Sequence, residues 1–140
     1  MKGFMLMSAL MFSSLVACAN PDYVSNVKKE NITEGCTVRF NKLETCGLIE
    51  WINAPAKKQD SNFMFVLDGA LEKFSHATLE VELWMPSMGH GSAPTVVRKI
   101  NASTFDVSNV HFIMGGDWEI RFTLKEGALV LDEAIFSIDI

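Results

Sequence analysis

Two thioethers and an imidazole crowd into one short run of this chain, Met85-Pro86-Ser87-Met88-Gly89-His90, and a further thioether, Met114, follows later. A thioether is neutral, soft and weakly basic, so a methionine pair beside an imidazole suits Cu(I). Zn(II), Ca(II) and Mg(II) ask for thiolates, carboxylates or more nitrogen. The candidate ligands are therefore Met85, Met88, His90 and Met114, acting together or as three with one position left open to solvent. Taken singly, each methionine also reads as a filler of core gaps, and Met85 and Met114 both lie on core parity. Packing does not account for Met88 and His90, which share a polar, Gly-flanked loop. His111 has the opposite parity to Met114 and reads as facing solvent or the other sheet face, and His76 reads as a surface residue before a strand. Trp84 and Trp118 either cover the site or pack on a sheet. The Gly89-His90-Gly91-Ser92 run is not a nucleophile elbow, and no acid, base and nucleophile can be nominated together. The chain reads as a non-enzyme.

Strands are needed to bring these residues to one place, and the apolar period is two almost everywhere beyond about residue 34. Leu79, Val81, Leu83 and Met85 alternate with Glu80, Glu82 and Trp84; Trp118, Ile120, Phe122 and Leu124 alternate with Glu119, Arg121 and Thr123; Ala134, Phe136, Ile138 and Ile140 complete a third such run. Further strands are predicted at residues 37–40, 47–52, 63–67, 95–99 and 107–114, separated by Gly-, Pro- and Asn-containing turns. No segment reads as a long amphipathic helix. Seven or eight short strands predict an all-β, immunoglobulin-like antiparallel sandwich over residues 35–140. In such a fold Met85 ends one strand, Pro86 stops its ladder, and Gly89 and Gly91 turn the backbone so that Met88 and His90 point back toward Met85. Met114 ends another strand, and the two strand ends are expected to meet at one rim.

Of 140 residues, 49% are hydrophobic, with ten Phe and three Trp, enough for a packed core and against disorder. Twelve basic side chains against 17 acidic ones give a net charge of −5, with no basic stripe for nucleic acid. Lys2 followed by the apolar run 4–16 has the order of a signal peptide, predicted over residues 1–17. At about 1.5 Å per residue that run is too short to span a bilayer comfortably. Leu15-Val16-Ala17-Cys18 resembles a bacterial lipobox, in which the Cys18 thiol carries a diacylglycerol and becomes an acylated N-terminus. Two or more acyl chains would anchor the protein stably on a membrane without spanning it. Ala19 after the cysteine resembles the enterobacterial outer-membrane sorting pattern. The polar stretch 18–34 reads as the lipidated N-terminus and a tether.

Cys36 and Cys46 remain as an even pair in an exported, oxidising compartment, and are predicted to form a disulfide. A metal-binding or redox thiol pair is the alternative, though no histidine lies near either in sequence.

The run from Leu83 to Ser92 (LWMPSMGHGS), followed by Asn109 to Ile120 (NVHFIMGGDWEI), resembles the YtkA-like domain, a family related to FixH. There a Met-Pro-x-Met-x-His element and a later Phe-x-Met-x-Gly-x-Trp element recur on an immunoglobulin-like sandwich. The resemblance spans about residues 62–140. It implies a periplasm-facing envelope protein associated with copper handling or with assembly of a haem-copper oxidase. It also implies Met85, Met88, His90 and Met114 as copper ligands and a copper-donor or copper-acceptor protein as partner. The chain departs from FixH in having a lipobox where FixH has a transmembrane helix. A metal-free interaction module presenting the loop from Met85 to Pro94, and an accessory domain of an efflux system, are the other functional expectations.

Overall fold

The computed structural model of the protein describes residues 35–69 and 74–140. The signal peptide expected at 1–17, the lipidation site Cys18 and the tether at 18–34 lie outside the described residues. Nine strands are formed among those described: β1 Val38–Phe40, β2 Thr45–Asn53, β3 Asp60–Leu67, β4 Thr78–Met85, β5 His90–Gly91, β6 Val96–Lys99, β7 Thr104–His111, β8 Asp117–Glu126 and β9 Leu129–Asp139. The alternation seen in the sequence is the cause. In β4 the odd residues from Leu79 to Met85 are buried while Thr78, Glu80 and Glu82 are exposed, and β8 buries Trp118, Ile120, Phe122 and Leu124 in the same manner.

The strands form two antiparallel sheets, one ordered β1-β2-β3-β7-β6 and the other β5-β4-β8-β9. This is the expected all-β sandwich, and eight of its nine strands coincide with the predicted ones. The ninth, β5, has only two residues, one a glycine, so it has no alternation to detect. The core is an aromatic junction between the sheets. Phe65 of β3 stacks on Phe122 of β8 at 4.6 Å between ring centres, and Phe63 meets the same ring edge-on at 6.2 Å. Gly47 of β2 makes room for this stack. The end of the Phe65 ring stands only 2.1 Å from where a Cβ on Gly47 would sit, so no larger residue fits without moving the ring.

Both flanks of the sandwich are sealed by polar contacts. On one, Thr95 Oγ1 donates to the Val81 carbonyl of β4 at 2.6 Å, and Lys99 Nζ of β6 donates to the carbonyls of Phe74, Ser75 and Ala77 at 2.6–3.0 Å. On the other, the β9 carboxylate of Asp132 is only 2% exposed. Its Oδ2 accepts the N–H groups of Lys42 (2.8 Å) and Leu43 (3.0 Å) in the β1–β2 turn, and its Oδ1 accepts the Glu133 N–H at 2.8 Å. Replacing Asp132 with alanine strands these donors, and the expected loss is about 3 kcal/mol. Urea unfolding checks this: the midpoint should fall with the slope unchanged, and Asp132→Asn, which keeps one acceptor oxygen, should lose less.

The predicted disulfide is present. Cys36 precedes β1 and Cys46 lies in β2, with Cα atoms 5.3 Å apart. It ties together neighbouring strands of one sheet and does not cross between sheets. Closing so short a loop stabilises the fold by about 2–3 kcal/mol in the chain-entropy account.

One element ends earlier than its sequence suggests. The strand expected to run through Met114 stops at His111, after which Phe112 makes only an isolated parallel bridge to Lys57. A register shift opposite Ser61–Phe63, with Asn109 at a φ of 57°, lets Val107 and Val110 both face the core. Met114 lies beyond the strand, in a bend.

Candidate metal centre

Strand β4 delivers Met85 to the end of the sandwich, and the chain reverses over residues 86–89. The turn is closed by the Met88 and Gly89 N–H groups, which donate to the Met85 carbonyl at 3.2 and 3.0 Å. Pro86, lacking an N–H, sits where β4 stops, and Gly89 takes a φ of +65°, which a side chain disfavours. The returning chain forms β5, whose register pairs His90 with Met85 and Gly91 with Trp84.

That register decides which side chains are neighbours. Residues directly opposite in an antiparallel pair project to the same face with Cβ atoms about 4.5–5.5 Å apart. Met85 points inward and is 2% exposed, so the half-buried His90 stands beside it on the inner face at the sheet edge. Met88 rises from the connecting turn and is 58% exposed. The imidazole is oriented by its own backbone: His90 Nδ1 lies 3.1 Å from the Gly91 carbonyl. A carbonyl oxygen only accepts, so Nδ1 is the donor, and in the neutral ring this leaves Nε2 as the nitrogen with the lone pair, the tautomer a metal-ligating histidine uses.

The second motif arrives at the same end from β7. The Met85 methyl comes within 3.0 Å of where a Cβ on Gly116 would stand, so the β4 terminus rests directly on the Gly115-Gly116 turn. Gly116 in turn exchanges backbone hydrogen bonds with Ile140 at 2.9 and 3.1 Å. Trp118, 1% exposed, donates its indole N–H to the Met114 carbonyl at 3.0 Å and packs edge-on against Phe112 with ring centres 5.5 Å apart. It thereby pins the bend carrying Met114, whose side chain is half-buried against the core. Ser92 Oγ also reaches across to the His111 carbonyl at 2.5 Å.

The arrangement fits a soft ion better than a hard one. Among the described residues, no three His, Cys, Asp or Glu side chains are grouped to hold a metal. The donors at this rim are thioethers and one oriented imidazole nitrogen. Beside the turn, Pro86, Asp117, Glu119 and Asp139 border a depression of about 130 Å³.

The remaining aromatic and histidine positions separate. Trp84 lies on the outer face with the Arg121 guanidinium 4.8 Å above its ring, and Arg121 is held by Glu119 on its own strand at 2.7–2.9 Å. The Trp84 ring lies over Gly91 and away from Met85, which rules it out as a cover for the inner-face cluster. Trp118 is the indole that lines the rim. His111 turns outward, its Nδ1 2.9 Å from Asp60 Oδ1, and His76 is exposed. Sequence reasoning expected His90 to turn back toward Met85 but not the β4–β5 strand pairing that does it, and it missed the Trp118–Met114 bond. The Pro-to-Gly spacing of the turn was the available signal for the first; the second is a side chain-to-backbone contact with no pattern in sequence. A separate groove of about 590 Å³ crosses the outer face of the second sheet between Glu82, Glu133, Ile135 and the 92–95 loop. Compared with known proteins, the chain matches no family model, no curated protein and no solved structure.

Proposed function

We propose that the protein is a lipid-anchored, periplasm-facing copper-binding protein that holds Cu(I) for transfer or sequestration at Met85, Met88, His90 and Met114. The observation that carries this reading is the hairpin register. Met85 and His90 are direct partners on one face, Met88 stands in the turn between them, and His90 Nε2 is left free. The Met85 contact with Gly116 brings the bend that carries Met114 to the same end of the sandwich, which is what favours Met114 as the fourth donor. Thioethers bind without losing a proton, and an exposed Met88 offers an incoming ligand a route to the ion, so copper would pass on by ligand exchange. The anchor rests on Leu15-Val16-Ala17-Cys18, and membership of the YtkA-like family on the two motifs of the sequence.

The test is a competition titration of the purified chain with Cu(I) under reducing conditions, with the Cys36–Cys46 disulfide checked as intact, since free thiols would bind copper themselves. One tightly bound equivalent is expected. No binding with the disulfide intact overturns the proposal.

A second reading, a metal-free interaction module of the envelope, draws on the 58% exposure of Met88 and on the outer-face groove. Methionine surfaces suit adaptable protein contacts. Its expected mark is co-purification with one partner from copper-depleted cells, unchanged by chelator.

A further inference from the structure

The methionines of the rim differ sharply in access, and sulfur oxidation depends on access. Met85 is 2% exposed, its methyl seated against Gly116, whereas Met88 is 58% exposed three residues later. Met64 and Met114 are half-buried. Met88 also belongs to no part of the core cluster, and its backbone is held in the turn by the Met85 carbonyl independently of its side chain. An oxidant reaching this end of the sandwich therefore meets one thioether first, and altering that side chain leaves the packing of both sheets in place.

We infer that Met88 is a sulfoxidation site for small hydroperoxides, and that its oxidation discharges the ion from the rim while the fold persists. This rests on the copper reading above for the discharge, but not for the modification. In the step, the Met88 sulfur attacks the distal peroxide oxygen. The O–O bond breaks as the S–O bond forms, sulfur is oxidised by two electrons, and the peroxide leaves as water or an alcohol. The step commits one of the two sulfur lone pairs to a polar S=O group and leaves a poorer, harder donor for Cu(I), and enzymes that reduce methionine sulfoxide restore the thioether. Oxidation of Met85 would instead bury a polar group in the core, so its seal against Gly116 confines the chemistry to the replaceable ligand.

The experiment treats the metal-free full chain in detergent with hydrogen peroxide and removes the excess with catalase. Peptide mapping by mass spectrometry then reads each methionine, and near-UV circular dichroism and Cu(I) competition follow on the same sample. Expected are oxidation of Met88 well before Met85, Met64 and Met114, an unchanged near-UV spectrum, and Cu(I) affinity lower by about tenfold or more. Loading with Ag(I), a soft d¹⁰ ion that peroxide does not cycle, is expected to slow Met88 oxidation because the lone pair is engaged. Met85 oxidised as fast as Met88 overturns the assignment of the site. Met88 oxidised with affinity unchanged overturns the discharge. An unoxidised chain that binds no Cu(I) sinks the copper reading and the discharge with it, while the mapping still decides whether Met88 is the residue modified.

Discussion

The Met88→Ala/His90→Ala double variant is expected to lose stoichiometric Cu(I) binding while keeping its fold. Met88 stands exposed in a turn outside the core cluster, and His90 is half-buried at a two-residue edge strand. Substitution of an exposed residue such as Met88 usually shifts stability by no more than about 0.5 kcal/mol, and loss of the half-buried His90 with its single weak hydrogen bond costs about 1 kcal/mol. What the two substitutions remove from the rim is the only imidazole nitrogen aligned with Met85 and the most accessible of the sulfurs. Two thioethers, Met85 and Met114, would remain, and weak neutral donors in that number hold Cu(I) poorly. Met85→Ala is a worse probe of the same idea, because emptying so buried a position costs about 2–5 kcal/mol and confounds binding with unfolding. The check is the Cu(I) competition titration on parent and variant side by side, with thermal unfolding of both. Parental affinity in a folded double variant would exclude Met88 and His90 as ligands.

Phe122→Ala is expected to be the most damaging single truncation in the core. The ring is 0% exposed and lies between Phe65, stacked at 4.6 Å, and Phe63, edge-on at 6.2 Å, so it joins one sheet to the other. Removing a phenyl group from such a place costs its transfer free energy plus the cavity left behind, about 3–5 kcal/mol. The Gly47 backbone lies beneath Phe65, and that ring has no space to move into without leaving the stack. A domain of this size has about 5–15 kcal/mol in all, so a large share disappears. Urea denaturation of the variant should show a much lower midpoint, and Phe122→Leu should fall in between. A loss below about 1 kcal/mol would mean the sheets are not joined through this ring.

The strands were legible in the sequence because their cause is local. A chain with one buried face per strand must alternate, and the runs from Leu79 to Met85 and from Trp118 to Leu124 state both the element and its inward face. The Cys36–Cys46 pair was legible too, since an even pair at short separation has few alternatives. The soft character of the candidate site likewise follows from residue types alone. Which residues stand together was decided only by tertiary structure. Met85 opposite His90 depends on where a two-residue strand pairs, and Met85 against Gly116 depends on how the β4–β5 hairpin and the β7–β8 crossover between sheets, far apart in sequence, end at one rim. The same holds for Trp84 and Trp118: one lies on the outer face beneath Arg121 and the other in the core, bonded to the Met114 carbonyl. It holds also for Asp132, which by composition is one more acidic residue and by position the acceptor for the β1–β2 turn. Period and chemistry are properties of neighbours along the chain. Register, and every contact that crosses between sheets, is set by packing that minimises buried unpaired groups over the whole domain, so no short window of sequence contains it.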